Sequence, residues 1–297
     1  MIMKKSAAIF FIFLFLLTGC AASAAQSQTA TDTNPSNAYI ENKGSDTLVN
    51  LALVWAEKYQ LAHPEVQISI SGGGSGTGIT SLINGTVDIA NASRAIKPEE
   101  IVNANAQGID PYEIVVANDA IAVIINPENP VDHLTLEQVS RIYQGLITNW
   151  QEVGGEDRPI VCLSRETNSG THVYFLEMVV RLGNSESKAL FSQETLLLPS
   201  SEGIIAEVRD NPNAIGYDGL GYVTSEVKML GLGEDGHAIL PSAETVKDLS
   251  YPIARQLYMY TNGAPQGAIK DYIDWILSPD GQAYVLELGF IPVQPNE

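Results

Sequence analysis

The stretch from residue 164 to residue 175, SRETNSGTHVYF, combines an arginine with small hydroxyl residues around one glycine. Ser169 and His172 suggest nucleophilic catalysis, whereas Arg165 beside the turn 169–171 suggests a grip on an anion. A planar guanidinium binds two oxygens of a tetrahedral anion at once, which an ammonium group does not do. The alternative for Arg165 is a surface arginine paired with its neighbour Glu166.

Serine catalysis is the weaker interpretation. Neither Ser75 nor Ser169 lies in a G-x-S-x-G motif. His172 falls at the start of a predicted helix, where it is expected to point to solvent or to pack. The four histidines are scattered, and no pair has the spacing of a metal site. We therefore expect no enzymatic activity, no metal site and no cofactor.

Clusters of glycine and hydroxyl residues stand at three joins between an extended segment and a helix. They cover residues 44–47, 73–78 and 168–171. Each one alone predicts only a helix N-cap. Together they predict converging helix N-termini, whose free N–H groups and partial positive charge bind an anion without net cationic charge.

A nucleotide site is disfavoured at the second of these joins. Residues 73–80 have the spacing of a P-loop, but Ile79 stands where a P-loop has its lysine. Without the residue that reaches the β- and γ-phosphates, the loop suits a single small oxyanion better than a triphosphate.

The overall charge points the same way. The chain has 297 residues and a formal net charge of −19, which argues against nucleic acid as a partner. Such a chain repels small anions at long range, so an anion site must rely on short-range hydrogen bonds and local dipoles.

The N-terminus has the pattern of a targeting segment. Lys4 and Lys5 precede an apolar run over residues 7–17, which is too short to span a bilayer. Residues 1–19 are therefore predicted to be a signal peptide ending at a lipoprotein box, with Cys20 lipidated. An ordinary secretory signal is the alternative. Residues 20–37, with no apolar period, are predicted to be a flexible tether.

Strand-like and helical runs alternate along the rest of the chain, which predicts an α/β fold. The predicted strands cover 66–71, 87–90, 119–126, 160–164, 215–223 and 257–261. The predicted helices cover 47–60 and 171–182, which have apolar residues at helical spacing, and 268–277 and 282–288, which are separated by the SPDG break at 278–281.

Six segments along the chain together carry a family resemblance. They are KGSDTL at 43–48, GSGTGI at 74–79, DIANASR at 88–94, SRETNSGT at 164–171, IGYDGLGY at 215–222 and YIDWILSPDGQ at 272–282. In this order they resemble the phosphate-binding lipoproteins of Pst-type ABC importers. The resemblance covers the chain from about residue 39 onward. The fourth segment combined with the second is specific, whereas either alone is weak.

This resemblance implies a two-lobed, type II periplasmic-binding-protein fold with the ligand in the interlobe cleft. Lobe one would comprise residues 38–118 plus 253–297, and lobe two residues 119–252, with crossings near 117–120 and 251–255. The implied function is capture of inorganic phosphate and its delivery to the membrane permease subunits of an ABC importer. The protein is then expected to be a monomer, held by its lipid on the extracytoplasmic face of the cell membrane.

The resemblance also implies the phosphate ligands, all of them hydrogen-bond donors. They are Ser45, Thr47, Leu48 through its backbone N–H, Ser75, Ser93, Arg165, Ser169, Gly170 through its N–H, and Thr171. In this arrangement Arg165 is the one formal positive charge of the site.

One departure concerns selectivity. Well-known members of the family end the third segment in Ser-Asp, and that aspartate accepts a hydrogen bond from the proton of phosphate, whereas this chain has Ser93-Arg94. We therefore hypothesise that Asp46 or Glu166 is the acceptor, since a hydroxyl such as that of Ser93 does not repel sulfate. The missing aspartate leaves open a binding protein for sulfate, molybdate or tungstate. A surface adhesion or signalling protein that keeps the fold without transport is a further alternative.

Overall fold

The computed structural model describes residues 38–234 and 236–293. The predicted signal peptide, the tether and Cys20 therefore lie outside the described residues. No helix within these two ranges is both long and apolar enough to cross a membrane.

Strands and helices alternate through the described residues, as the sequence predicts. The strands are β1 (Ala38–Gly44), β2 (Val66–Ser71), β3 (Ile89–Ala92), β4 (Pro111–Ile125), β5 (His133–Leu134), β6 (Val161–Arg165), β7 (Leu196–Leu198), β8 (Ala214–Gly219), β9 (Lys228–Met229), β10 (Gly231–Leu232) and β11 (Ala254–Asn262). The helices are α1 (Asp46–Ala62), α2 (Ser75–Ile83), α3 (Pro98–Ala106), α4 (Leu136–Tyr143), α5 (Gly170–Phe175), α6 (Ser201–Asp210), α7 (Ala243–Lys247), α8 (Gly267–Leu277) and α9 (Pro279–Glu287).

The main sheet is mixed and has the strand order β2-β1-β3-β11-β4-β8-β6-β7, with β9 paired to β4. Strands β1, β2 and β3 are parallel to one another, and so are β6, β7 and β8. Strand β11 runs antiparallel to both β3 and β4, and β4 runs antiparallel to β8. The two parallel groups are therefore joined through the antiparallel pair β4 and β11.

The long strand β4 changes partner along its length. Residues 111–120 pair with β11, and residues 121–125 pair with β8. The prediction began this strand only at residue 119 and so missed residues 111–118, in which the apolar run 114–117 is flanked by the polar residues Glu113 and Asn118. The part that the sequence missed pairs with β11 and contributes Ile114, Val116 and Ala117 to the core.

Other boundaries differ for identifiable reasons. Helix α1 buries the predicted face of residues 48, 51, 52, 55, 56 and 59. Strand β8 ends at Gly219 because residues Leu220–Tyr222 form a 3₁₀ turn. The predicted helix over 171–182 begins at Gly170, and its second half, Leu176–Val180, is a π-helical turn. Gly183 follows it with the left-handed φ of +68° expected of a C-terminal glycine.

Three apolar clusters fill the interior. The largest packs helices α1, α8 and α9 and includes Leu51, Trp55 and Tyr272. A second contains the apolar faces of β4, α4 and α5, and a third lies between α2 and β3. These clusters hold rigidly the strand ends and helix starts from which the polar residues of the site project.

Candidate functional site

The three predicted loops meet at one place. The Gly74 N–H donates to the Gly44 carbonyl at 2.9 Å, and the Gly76 N–H donates to the Asn168 carbonyl at 3.0 Å. The Asn168 amide donates in turn to the Gly73 carbonyl at 2.9 Å. Helices α1, α2 and α5 begin within two residues of these contacts. The predicted convergence of helix starts is therefore confirmed.

Four buried hydroxyls lie together where the loops meet; we call them the hydroxyl cluster. Thr47 Oγ1 and Thr171 Oγ1 are 2.9 Å apart. Ser75 Oγ and Ser93 Oγ are 3.2 Å apart, and the Ser93 N–H donates to Ser75 Oγ at 3.0 Å. Each of these side chains is at most 1% exposed. Because a hydroxyl can rotate its proton, each can donate to a ligand while its oxygen accepts a bond from the protein.

Gly170 lies directly against two members of this cluster. A Cβ at this position would stand 2.3 Å from Ser75 Oγ and 2.6 Å from Ser93 Oγ. A side chain does not fit at such distances, so glycine is required for the 168–171 loop to reach the serines.

Three other predicted ligands, Ser45, Leu48 and Ser169, are also buried, and each already makes a hydrogen bond within the protein. The Ser45 N–H donates to the Asn91 carbonyl at 2.9 Å, and the Leu48 N–H donates to the Ser45 carbonyl at 3.1 Å. Ser169 Oγ accepts from the His172 N–H at 3.4 Å and so caps α5. The Leu48 N–H is therefore engaged within the first turn of α1 in this structure.

Arg165 is buried at the end of β6, with 1% of its surface exposed. Its Nη2 donates to Asp46 Oδ2 at 2.7 Å and to the Pro199 carbonyl at 2.9 Å. Its Nη1 donates to Ser201 Oγ at 2.7 Å and lies 3.7 Å from Asp218 Oδ2. The alternative of a surface arginine paired with Glu166 is therefore wrong, since the guanidinium is buried and is held by Asp46, Ser201 and the Pro199 carbonyl.

Neither hypothesised proton acceptor is well placed. Glu166 is exposed, so the hypothesis that it reads the proton of a buried anion is wrong. Asp46 is close, but Oδ1 accepts from the Gly73 N–H at 2.8 Å and Oδ2 accepts from Arg165. Arg94, which replaces the family's aspartate, is paired through both nitrogens Nη1 and Nη2 with Glu100.

A second arginine, Arg255 on β11, reaches the hydroxyl cluster. Its Nη1 donates to Thr171 Oγ1 at 3.0 Å and to the Ser93 carbonyl at 3.2 Å, and its Nη2 lies 3.4 Å from Thr47 Oγ1. Its Nε and Nη2 both bond to Asp119 Oδ2, at 3.0 and 2.7 Å. The expectation that Arg165 is the one positive charge is therefore wrong.

Arg255 and Asp119 were missed because their sequence contexts carry no loop motif. They are direct cross-strand partners in the β4–β11 ladder, which only the register of the sheet reveals. The available signal was a charged residue within each of two apolar runs, which in a buried strand calls for an opposite charge nearby.

Two opposing effects act on the pKa values of the buried carboxylates in this region. Burial raises the pKa of Asp119 and of Asp218 above the ordinary value, while Arg255 and Arg165 respectively oppose that rise. Three aspartates (Asp46, Asp119 and Asp218) are paired with the two arginines in this part of the chain.

His172 packs rather than facing Ser169. Its Nδ1 is 2.9 Å from Ser164 Oγ, and its ring stacks on Phe191 with centroids 4.6 Å apart. Burial lowers its pKa. Of the two outcomes expected for this histidine, the structure favours packing.

A groove of about 1400 Å³ lies on another side of Arg255. It is lined by residues that include Arg94, Asn118, Tyr174, Ala254 and Val293, and none of the nine predicted ligands is among its lining residues. Its lining is mainly apolar, which suits neither the charge nor the donor set of an oxyanion site. Within the described residues, no group of three or more His, Cys, Asp or Glu side chains is arranged to hold a metal ion.

Comparison with known proteins places this chain in a family. Residues 23–280 match the model of the PBP superfamily domain. The phosphate-binding protein PstS of Pseudomonas aeruginosa is 32% identical over 273 residues, covering 86% of this chain and 83% of the relative. PstS of Bacillus subtilis is 30% identical over 300 residues, covering 98% and 95% of the two chains.

Comparison with solved structures gives the same result as comparison with the sequences. A phosphate-bound ABC transporter substrate-binding protein from Clostridium perfringens superposes with a TM-score of 0.77 at 33% identity, covering 86% of this chain and all of the other. A phosphate transport receptor from Vibrio cholerae superposes with a TM-score of 0.69 at 28% identity, over 86% of this chain and all of the other. The mixed α/β fold is that of the type II periplasmic binding proteins, which confirms the predicted fold class. The chain belongs to the PBP superfamily and, within it, to the family of the phosphate-binding PstS proteins.

Proposed function

We propose that this protein captures inorganic phosphate outside the cytoplasm and delivers it to the permease subunits of an ABC importer. The single observation that carries the proposal is the hydroxyl cluster, a buried set of donors that a tetrahedral oxyanion would satisfy, with the buried Arg165 bonded to Asp46, the neighbour of Thr47. The names of the PstS relatives support phosphate as the anion, and those relatives are binding proteins rather than enzymes. The role is capture without chemistry.

The ligands we propose are the nine predicted residues. Thr47, Ser75, Ser93 and Thr171 donate through hydroxyls that already lie within 3.2 Å of one another in pairs. Gly170 donates through its N–H at the start of α5, and Arg165 donates from the end of β6. Ser45, Leu48 and Ser169 complete the surrounding loops, and Leu48 must exchange its bond to the Ser45 carbonyl for one to the anion. Arg255 donates to both threonine hydroxyls, so the hydrogen bond between them can be exchanged and their protons can turn to the ligand.

We further propose that the chain forms two lobes, residues 38–118 plus 253–297 and residues 119–252. The change of β4 from β11 to β8 at residues 120–121 supports crossings at this level. Contacts between loops of the two lobes, such as Gly76 with Asn168 and Asp46 with Arg165, would form on closure around the anion and stabilise the closed form.

Anchoring completes the proposal. Lipidation of Cys20 and the tether over residues 20–37 would hold a monomer at the extracytoplasmic face of the membrane, close to the permease. Labelling with a radioactive fatty acid in cells tests this, and a Cys20→Ser variant should lose the label and appear in the medium.

Isothermal titration of the mature protein with phosphate, sulfate, molybdate and tungstate tests the ligand. We expect phosphate to bind at least about a hundredfold more tightly than the other three, which corresponds to roughly 2.7 kcal/mol. Tighter binding of sulfate, molybdate or tungstate would replace the proposal with the corresponding oxyanion. A surface adhesion or signalling role would follow if none of the four bound.

A further inference from the structure

One buried carboxylate oxygen beside Arg165 has no hydrogen-bond donor within the described residues. Asp218, the penultimate residue of β8, is fully buried. Its Oδ1 accepts from Ser201 Oγ at 3.0 Å and from the Gly219 N–H at 2.7 Å. Its Oδ2 has no hydrogen-bond partner, and Arg165 Nη1 lies 3.7 Å away. A buried acceptor without a donor is unusual and calls for a partner that is bound later.

The other two aspartates of the region have no such oxygen. Asp46 uses one oxygen for the Gly73 N–H and the other for Arg165. Asp119 uses Oδ1 for the Leu220 N–H at 3.1 Å and Oδ2 for Arg255. Among these three carboxylates, Asp218 therefore holds the free acceptor.

Arg165 has the complementary free group. Its Nε is buried and has no hydrogen-bond partner, although both of its terminal nitrogens are engaged. The chain Arg165–Ser201–Asp218 fixes the guanidinium and the carboxylate relative to each other. Within this buried pair, Arg165 therefore has an unpartnered donor and Asp218 has an unpartnered acceptor.

The neighbouring turn brings this pair close to the hydroxyl cluster. A Cβ at Gly219 would stand 2.8 Å from Asp119 Oδ2 and 3.2 Å from Thr47 Cγ2. The residue that follows Asp218 therefore packs directly on Thr47. An anion bound by the hydroxyls and by Arg165 would therefore lie close to the end of β8.

We propose that Asp218 is the residue that distinguishes phosphate from sulfate, by accepting through Oδ2 the hydrogen bond of the P–OH group of hydrogenphosphate. The inference rests on the proposed function, because it assigns a role within that site. Sulfate has no proton to give at neutral pH, so its oxygen would face an ionised carboxylate without a hydrogen between them. This role does not depend on Arg94. Asp218 replaces Asp46 and Glu166 as the proposed acceptor.

The test is calorimetric titration of the mature wild-type protein and of Asp218→Asn with phosphate and sulfate at pH 7.5. The amide removes the negative charge and gains a donor, so the preference for phosphate over sulfate should fall by about tenfold or more. Most of that change should be a gain in sulfate affinity, which loss of a merely structural residue does not produce.

Two controls accompany the variant. Asp46→Asn should weaken both anions together and keep their ratio, because both Asp46 oxygens are already engaged. Glu166→Gln should change neither affinity, because Glu166 is exposed. If Asp218→Asn does not fold, Asp218→Ser tests the same loss of charge.

The outcomes distinguish a failure of the proposed function from a failure of the role assigned to Asp218. A wild-type protein that does not bind phosphate overturns the proposed function. A wild type that prefers phosphate, together with Asp218 variants that keep the same ratio, overturns only the role of Asp218. As a check without mutation, the wild type should bind the monofluorophosphate dianion, which lacks the P–OH proton, as poorly as sulfate. Binding as tight as that of phosphate would also overturn the inference.

Discussion

Arg165 and Arg255 are the two buried arginines of the candidate site, yet their hydrogen bonding differs. Arg255 has all three nitrogens engaged, with Asp119 as its counter-charge and two threonine hydroxyls and a carbonyl as acceptors. Arg165 has two carboxylates near its terminal nitrogens and leaves Nε unpartnered. Arg255 joins the two strands through Asp119 and donates to the threonine hydroxyls, whereas in the proposed site Arg165 would keep a donor for the ligand. Burial alone does not distinguish these roles; the hydrogen-bond count at each nitrogen does.

The largest effect is expected on stability when Arg255 is changed. Arg255→Met leaves Asp119 buried without its partner, which should lower the free energy of unfolding by about 3–5 kcal/mol in urea denaturation without ligand. The double variant Arg255→Met/Asp119→Leu removes both charges and should recover most of that loss. No recovery would show that Arg255 does more than balance Asp119.

A smaller effect, on binding, is expected for Arg165. Arg165→Met should weaken phosphate binding by about ten- to hundredfold, or roughly 1.5–3 kcal/mol, because a charge-assisted bond to the anion is lost. Titration calorimetry measures it, with Arg158→Met as a control, since Arg158 pairs with Glu156 at the surface. Adding Asp218→Asn should not restore affinity. If it does, Arg165 acts only by neutralising that carboxylate.

The smallest effect is expected in the pH dependence of stability, through the buried histidine His172 in α5. Burial lowers the pKa of His172 below its ordinary value of 6.5, so the unfolded chain takes up a proton more readily than the folded one. The stability from keeping this ring neutral is present above about pH 6.5 and is lost as the pH falls toward the lower pKa of the folded state. The melting temperature of wild type should therefore fall more between pH 7.5 and pH 5.5 than that of His172→Asn. Equal falls would mean that His172 is protonated in the folded protein.

The sequence predicted well those parts of the site that lie in local motifs. The three loops, their glycines and the hydroxyls Thr47, Ser75 and Thr171 follow from residues that are close together along the chain. So does Arg165, because a strand end followed by a helix start is itself a local pattern. The binding class followed from this pattern together with the family resemblance.

What could not be predicted depends on register and on partners distant in sequence. Asp119 meets Arg255 across 136 residues, and Ser201 joins Arg165 to Asp218 across 36 and 17 residues. No local pattern encodes these pairings, because a shift of one residue in a strand turns the side chain to the other face of the sheet. Glu166 illustrates the opposite error. It was hypothesised to be the proton acceptor because it is adjacent to Arg165 in the sequence, but its side chain is exposed.

The contacts of Asn168 with the glycine-rich loop have a kinetic consequence. The cluster hydroxyls are almost wholly shielded from water, and two hydrogen bonds join Asn168 to Gly76 and Gly73 of the glycine-rich loop. In the proposed site, a phosphate held at these hydroxyls would have to wait for the two loops to part, so its residence time would be set by how often they open. Changes at Asn168 should therefore alter the dissociation rate more than the association rate, and a permease that separates these loops would release the anion by moving apart the groups proposed to bind it.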